Sequence, residues 1–340
     1  MTATMQAIVF HGAGKWGLEE VAQPTLIASD DVLLKVERTG ICGTDLHILS
    51  TPPGHPATPG SILGHEYVAT VVDTGDSVSH LQRGDRVVID PNITCGLCQY
   101  CRLGMTNVCE RMTTLGIFRH GGLAEFNVAP AKSLHRISND VPIERAALAE
   151  PLACVWHAFE KTALVPGESV AILGGGPIGL LFLLLFKSAG AGKVFLVEPA
   201  DFRRQQAEAL GADGAINPKT QNAASEIKSA TGIGADIVVD TVGSLLPEAL
   251  ELVRFGGRVV LFGLNQHAER TISQYYPTRY EVTIIGSFIQ RTAFPKVVRA
   301  LESGIIPVEE LITHRIGLAE LSDGLEALRQ GTAIKILAHP

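Results

Sequence analysis

The chain has 340 residues, of which 46% are hydrophobic and 19% charged, and its formal net charge is −7. That length exceeds one typical domain and predicts two, each with a large buried core. The acidic balance argues against a nucleic-acid partner, which needs clustered Lys and Arg. Residues 1–15 lack a basic region followed by a long apolar run, so no secretory signal and a cytoplasmic protein are expected.

Taken in order, Met5–Phe10 and Val32–Arg38 alternate or run apolar like strands. Gly12, Gly14, Gly17 and Pro24 punctuate them, which predicts a β-rich opening domain. The segment from Gly40 to His47, a loop over Pro52–Pro59 and the triplet Gly64-His65-Glu66 come next. Strands are expected at Tyr67–Val72 and Arg86–Asp90, and again over Gly121–Phe126.

Between these strands stand Cys95, Cys98, Cys101 and Cys109, spaced C-x2-C-x2-C-x7-C. In a cytosolic protein such clustering points to metal rather than disulfides. Four thiolates close a tetrahedral shell around zinc and leave no open position, so the site would be structural. An iron–sulfur cluster uses the same ligands, but spacing and context favour zinc. A nucleic-acid zinc knuckle would sit poorly in an acidic chain.

Cys42, His65 and Glu66 are the metal-ligand types that remain. A catalytic zinc needs few protein ligands and an open position. Glu150 could be the last ligand, or could hydrogen-bond the metal water. Taken singly, Cys42 reads as a small buried hydrophobe and His65 as a structural histidine. Only their combination suggests metal, and spacing alone cannot join them.

The stretch Val170–Glu198 holds the strongest local signal. An apolar run, Val170–Leu173, leads into Gly174-Gly175-Gly176-Pro177-Ile178-Gly179, a match to G-x-G-x-x-G. A helix over Leu180–Ala189 and a strand over Val194–Val197 follow, ending at Glu198. Gly174 allows the tight turn, Gly176 lets backbone approach a pyrophosphate, and Gly179 lets helix and sheet pack closely. Glu198 falls where an acid accepts hydrogen bonds from the adenosine ribose. Val170–Phe186 carries no charge, but three glycines and a proline inside it speak against a membrane span.

Downstream, helices are expected at Asp201–Leu210, Leu246–Val253, Lys296–Ser303 and Leu318–Gln330. Strands are expected at Ile237–Val242, Arg258–Leu264, Glu281–Phe288 and Ala333–Ala338. Asp240-Thr241-Val242-Gly243 and Phe262-Gly263-Leu264 then sit at strand C-terminal ends, where an open parallel sheet binds its ligand.

These motifs stand in one order: Cys42-Gly43-Thr44-Asp45-x-His47, Gly64-His65-Glu66, the four cysteines, Gly121-Gly122-x-Ala124-Glu125, Glu150-Pro151 and the glycine turn. Together they resemble the zinc-containing medium-chain dehydrogenases, which include alcohol, sorbitol and threonine dehydrogenases. The resemblance covers nearly the whole chain. It implies an α/β protein with a GroES-like β-barrel catalytic domain over 1–153 and 289–340, bearing a structural zinc lobe at about 91–112. It further implies a Rossmann dinucleotide-binding domain over 154–288, with the active site in the cleft between the two.

By that resemblance Cys42, His65 and Glu66 are ligands of a catalytic zinc, giving two zinc ions per chain. Glu150 binds the metal water, and Asp45 orients the zinc-bound His65. Thr44 and His47 form a proton relay for hydride transfer between an alcohol and NAD. Arg203 and Phe288 join the cofactor site, and Glu198 favours NAD over NADP. Ile48 follows the relay histidine where sorbitol dehydrogenases carry Tyr, and Ile289 stands near their Arg. Ile48, Leu49 and Phe118 are therefore expected to line an apolar pocket suited to secondary alcohols or ketones. Threonine dehydrogenase is the alternative, with Arg119 and Arg291 as candidate carboxylate contacts, and a non-catalytic family member is a different-class alternative. The expected partners are a small-molecule substrate and further copies of the chain, as a tetramer rather than a dimer. Arg258–Leu264 and Glu281–Phe288 are the expected sheet edge, and no membrane contact is expected.

Overall fold

Short runs of Val, Ile and Leu build a six-stranded sheet in the middle of the chain. Its strands lie in the spatial order Gly214–Ile216, Lys193–Val197, Ser169–Leu173, Ala235–Asp240, Val253–Leu261 and Thr283–Gly286. Every neighbouring pair is parallel. In sequence order this is 3-2-1-4-5-6, the Rossmann arrangement, whose order reverses beside its first strand. Strands buried on both faces need apolar residues at every position, and Ser169–Leu173 is buried throughout. The helix Pro177–Ser188 is buried continuously from Gly179 to Phe186 and so has no polar face over that length.

The computed structural model describes residues 3–340. It divides into two compact units, one formed by Met1–Ala153 with Arg291–Pro340 and the other by Cys154–Gln290. The first unit opens with the hairpin Thr4–Gly12 and Lys15–Ala22. Its larger sheet runs Ile312–Gly317, Lys335–His339, Asp31–Gly40, Glu66–Thr74, Arg86–Ile89 and Leu134–Ile137, with Phe126–Pro130 also paired to Asp31–Gly40. The final strand thus pairs antiparallel with Asp31–Gly40, Leu337 lying opposite Gly40. That pairing brings residues far apart in sequence to one place. No helix of the described residues is long and apolar enough to cross a membrane.

Three expectations need correction. Gly121–Glu125 is not strand, and the strand starts at Phe126. The backbone N–H groups of Gly121, Gly122 and Leu123 donate instead to the carbonyls of Ile62, Gly64 and Leu63, so this segment clamps the loop that carries His65. The strand containing Arg258 is interior to its sheet, and only Thr283–Gly286 lies at that edge. Ile48 and Leu49 are 0% and 6% exposed and pack into a core with Ile8, Phe10, Leu63 and Ile336, so they form core rather than an open pocket wall.

Candidate metal centre and dinucleotide site

Among the described residues, two groups of side chains could hold a metal ion. The first is Cys95, Cys98, Cys101 and Cys109. Their sulfurs stand 4.0 Å apart for Cys95 and Cys101, 3.9 Å for Cys98 and Cys109, and 3.5 Å for Cys109 and Cys95. A tetrahedron with metal–sulfur bonds of about 2.3 Å has edges of roughly 3.8 Å, so these spacings fit one zinc and exclude disulfides. Backbone N–H groups reinforce the thiolates. Those of Leu97 and Cys98 donate to Cys95 Sγ at 3.4 and 3.3 Å, and that of Arg111 to Cys109 Sγ at 3.4 Å. The Leu97 and Cys98 donors pull the Cys95 pKa down to about 6. Desolvation, and the protons it shares with Cys98 and Cys109, push Cys101 up to about 12.

The second group is Cys42, His65 and Glu66, whose donor atoms all lie within 4.8 Å of one another. Cys42 precedes the short helix Gly43–Ile48, and Glu66 opens the strand Glu66–Thr74. Asp45 ties the two segments together. Its Oδ2 accepts the Cys42 N–H at 2.9 Å, and its Oδ1 stands 3.8 Å from His65 Nδ1. Neither of the latter two atoms has a hydrogen-bond partner, although both are buried. With Nδ1 facing Asp45, Nε2 is left as the donor. A metal there would fix the ring and draw Nδ1–H towards the carboxylate, so the residues fit a zinc ion.

The charges around this cluster are concentrated. Burial pulls the His65 pKa down, but Cys42, Asp45 and Glu150 outweigh it and hold the imidazole well above its ordinary range. Burial raises the Asp45 carboxyl, with His65 only partly offsetting it. For Glu66 the burial cost is overcome by Lys335 and then His65, so its pKa lies below the ordinary value. Glu150 is buried, and its charge reaches His65, but its carboxylate falls outside the tight group. Thr44 Oγ1 lies 3.7 Å from Cys42 Sγ. His47 sits one helical turn beyond Thr44, on the same helix face and exposed.

Sequence reasoning missed Lys335. It is 2% exposed, ion-paired with Glu66, and donates to the Ile41 carbonyl at 3.1 Å. Its signal was present as one Lys inside the apolar run Ala333–Ala338. Phe118 and Arg119 line a cavity of ≈ 770 Å³ against the N-terminal hairpin, and no member of the Cys42 group borders it. Arg291 is half-buried.

In the other unit the three glycines show three separate demands. Gly174 has φ +103°, and a Cβ there would meet Thr241 Oγ1 at 2.6 Å. Gly176 faces open space. A Cβ on Gly179 would strike the Gly174 carbonyl oxygen. Pro177 and Ile178 form the first turn of the helix, whose free N–H groups suit a phosphate. Glu198 follows the strand Lys193–Val197, Thr241 and Val242 follow Ala235–Asp240, and Phe262, Gly263 and Leu264 follow Val253–Leu261. Phe288 stands just past Thr283–Gly286. All therefore gather at the C-terminal edge of one parallel sheet. Val242, Leu264 and Phe288 are exposed there, while Phe262 packs edge-on against Phe182.

Glu198 is 4% exposed, and its oxygens accept the N–H groups of Gly175 at 2.7 Å and Ala200 at 2.9 Å. It thus shapes the turn as well as charging it, with Arg203 Nη1 3.8 Å from its Oε2. Asp240 ends its strand, as expected, and takes a structural task there. It accepts N–H bonds from Val242, Gly243 and Leu245 and so folds the loop that carries Thr241 and Val242.

Residues 28–139 match the alcohol dehydrogenase GroES-like domain, and residues 177–303 match the zinc-binding dehydrogenase domain. The chain is 35% identical over 322 residues to an L-threonine 3-dehydrogenase of Caldanaerobacter subterraneus subsp. tengcongensis, covering 92% of each. It is 32% identical over 344 residues to a sorbitol dehydrogenase of Bacillus subtilis, covering 99% of this chain and 97% of that one. A structure described as a zinc-binding dehydrogenase of Sinorhizobium meliloti 1021, bound to NADP, superimposes with a TM-score of 0.94 at 34% identity, covering 99% of this chain and all of the other. With the four-thiol lobe, the Cys42 group and the glycine turn all in place, this chain belongs to the zinc-containing medium-chain dehydrogenase family.

Proposed function

We propose that this enzyme transfers a hydride between a secondary alcohol or polyol, or the matching ketone, and NAD. The observation that carries the reading is the convergence of Cys42, His65 and Glu66 in a chain that also carries the glycine turn. Cys42, His65 and Glu66 would hold a catalytic zinc and the four-cysteine lobe a structural one, giving two per chain. Zinc, when bound, supplies Lewis acidity towards the substrate hydroxyl. Glu150 would hydrogen-bond the water or hydroxyl brought to that position. Asp45 holds Cys42 by its backbone and faces His65, so it keeps both donors in register. Thr44 Oγ1 would receive the hydroxyl proton, and the exposed ring of His47 would pass it to solvent.

The reading assigns catalysis to residues 1–153 and 289–340 and dinucleotide binding to 154–288. Gly176 would lie under the pyrophosphate, and Thr241, Val242, Phe262, Gly263, Leu264 and Phe288 would border the rest of the cofactor. NAD is proposed over NADP because a buried carboxylate at Glu198 repels a 2′-phosphate. A cytoplasmic homo-oligomer, tetramer rather than dimer, completes the proposal. L-Threonine is the second reading, supported by the 35% identity to a threonine dehydrogenase.

The test is NAD reduction across secondary alcohols, polyols, sugars and amino alcohols. Turnover confined to secondary alcohols or polyols supports the proposal, and turnover confined to threonine selects the second reading. No turnover with any class overturns both and favours a non-catalytic member.

A further inference from the structure

Lys335 is a charged residue where the fold offers little to solvate it. Its ammonium is buried, and Glu66 Oε2 and the Ile41 carbonyl receive it. A buried ammonium is costly unless it is paired and hydrogen-bonded, so this contact is unlike a surface ion pair. Gly40 makes room for it. A Cβ at that position would strike Glu66 Oε2 and stand 2.9 Å from Lys335 Cε. The Gly40 backbone is outside the left-handed region, so the demand there is for space rather than for φ. Gly40 pairs with Leu337 on one side and with Glu66 on the other, so Lys335 reaches Glu66 across the Gly40 backbone.

We propose that Lys335 is a positioning residue that restricts Glu66 to one free carboxylate oxygen towards the catalytic metal. The inference rests on the metal reading of Cys42, His65 and Glu66. With Oε2 committed to the ammonium, Oε1 is the oxygen left to a metal. A carboxylate released from Lys335 can offer both oxygens, which fills the coordination position that substrate needs. Lys335 also offsets one of the acidic charges supplied by Cys42, Asp45, Glu66 and Glu150. Removing it leaves a more negative nest that grips a dication more tightly.

The test uses the full chain loaded with cobalt in place of zinc, and separately the zinc protein challenged with a chelator. Lys335→Met should weaken the intense visible band of tetrahedral cobalt at the Cys42 site as coordination number rises. It should also slow zinc release from that site by on the order of tenfold. In an E66Q background no second carboxylate oxygen can be released, so the same Lys335→Met change should leave the cobalt band unchanged and slow release less than in the wild type, only the lost positive charge then acting. Gly40→Ala keeps every charge yet pushes on Glu66, and should shift the same band. An unchanged band in both variants, or equal effects of Lys335→Met with and without E66Q, overturns the proposal. A wild-type chain holding one cobalt, in the four-thiol lobe alone, overturns the metal reading and this inference together.

Discussion

The two metal-ligand groups use overlapping chemistry in opposite settings. The lobe of Cys95, Cys98, Cys101 and Cys109 is part-exposed, assembled within fifteen residues, and reinforced by backbone N–H groups. Four equal donors complete a tetrahedron, so nothing further can approach. Cys42 and the adjacent pair His65-Glu66 come from two separate segments, are enclosed by Asp45, Glu150 and Lys335, and supply three donors of three kinds. Burial pulls the Lys335 pKa down, yet Glu66, Cys42 and Glu150 together hold it above its ordinary value. The difference teaches that donor count and surrounding charge, rather than ligand type, separate a closed site from one that can take substrate.

The largest expected effect breaks this comparison at its reactive side. Cys42→Ser should abolish turnover by several orders of magnitude while NAD affinity, measured by fluorescence titration, stays within a factor of about three. Full activity in that variant contradicts the metal assignment. Cys98→Ser strikes the other side. Loss of a structural ion should lower the unfolding temperature by roughly 5–10 °C, read by calorimetry, with turnover per folded molecule retained. A Cys98→Ser chain that stays equally stable but loses turnover would reverse the proposed roles of the two groups.

A smaller effect leaves both groups alone. Glu198→Gln keeps the acceptor for the Gly175 N–H but removes the charge, so the ratio of kcat/KM for NAD to that for NADP should fall by roughly tenfold. An unchanged ratio places cofactor choice elsewhere, with Arg203 and Arg204 the next residues to test.

A change remote from both groups separates acid loss of the fold from acid loss of metal. His135 stacks on Phe294 with ring centroids 4.8 Å apart. Burial, and then the charge of His80, hold its pKa down to about 4. The unfolded chain takes up that proton first, so stability is full above about pH 6.5 and is lost as pH falls towards 4. His135→Phe should remove this part of the acid limb, roughly 2 kcal/mol between pH 7 and 5, in urea unfolding of the metal-loaded protein. An equally steep limb in the variant assigns that acid sensitivity to other groups.

What could be read in advance follows the same division between local and distant. The glycine turn and the four-thiol lobe are built from neighbours in sequence, so spacing conveys their geometry directly. Gly174, Gly176 and Gly179 each meet the demand expected of it: a positive φ, open space and close packing. The Cys42 group is legible only through a family resemblance, because strand pairing and not spacing brings Cys42 to the adjacent His65 and Glu66. Lys335 lies 269 residues from Glu66, and a lone Lys in an apolar strand carries no address for its partner. Ile48 and Leu49 show the converse limit. Their apolar character is equally consistent with pocket and with core, and packing against Ile8, Phe10 and Leu63 decides for core. Gly121–Glu125 looks like strand in its pattern, yet the N–H groups of Gly121, Gly122 and Leu123 are spent on the loop at 62–64.

The central claim is that one chain carries a closed four-thiol metal site and a separate open one at Cys42, His65 and Glu66. Elemental analysis of the purified protein beside its Cys42→Ser variant tests it most directly. The account predicts two zinc ions per chain in the first and one in the second. One zinc or none in the unaltered chain, or two in the variant, would contradict it.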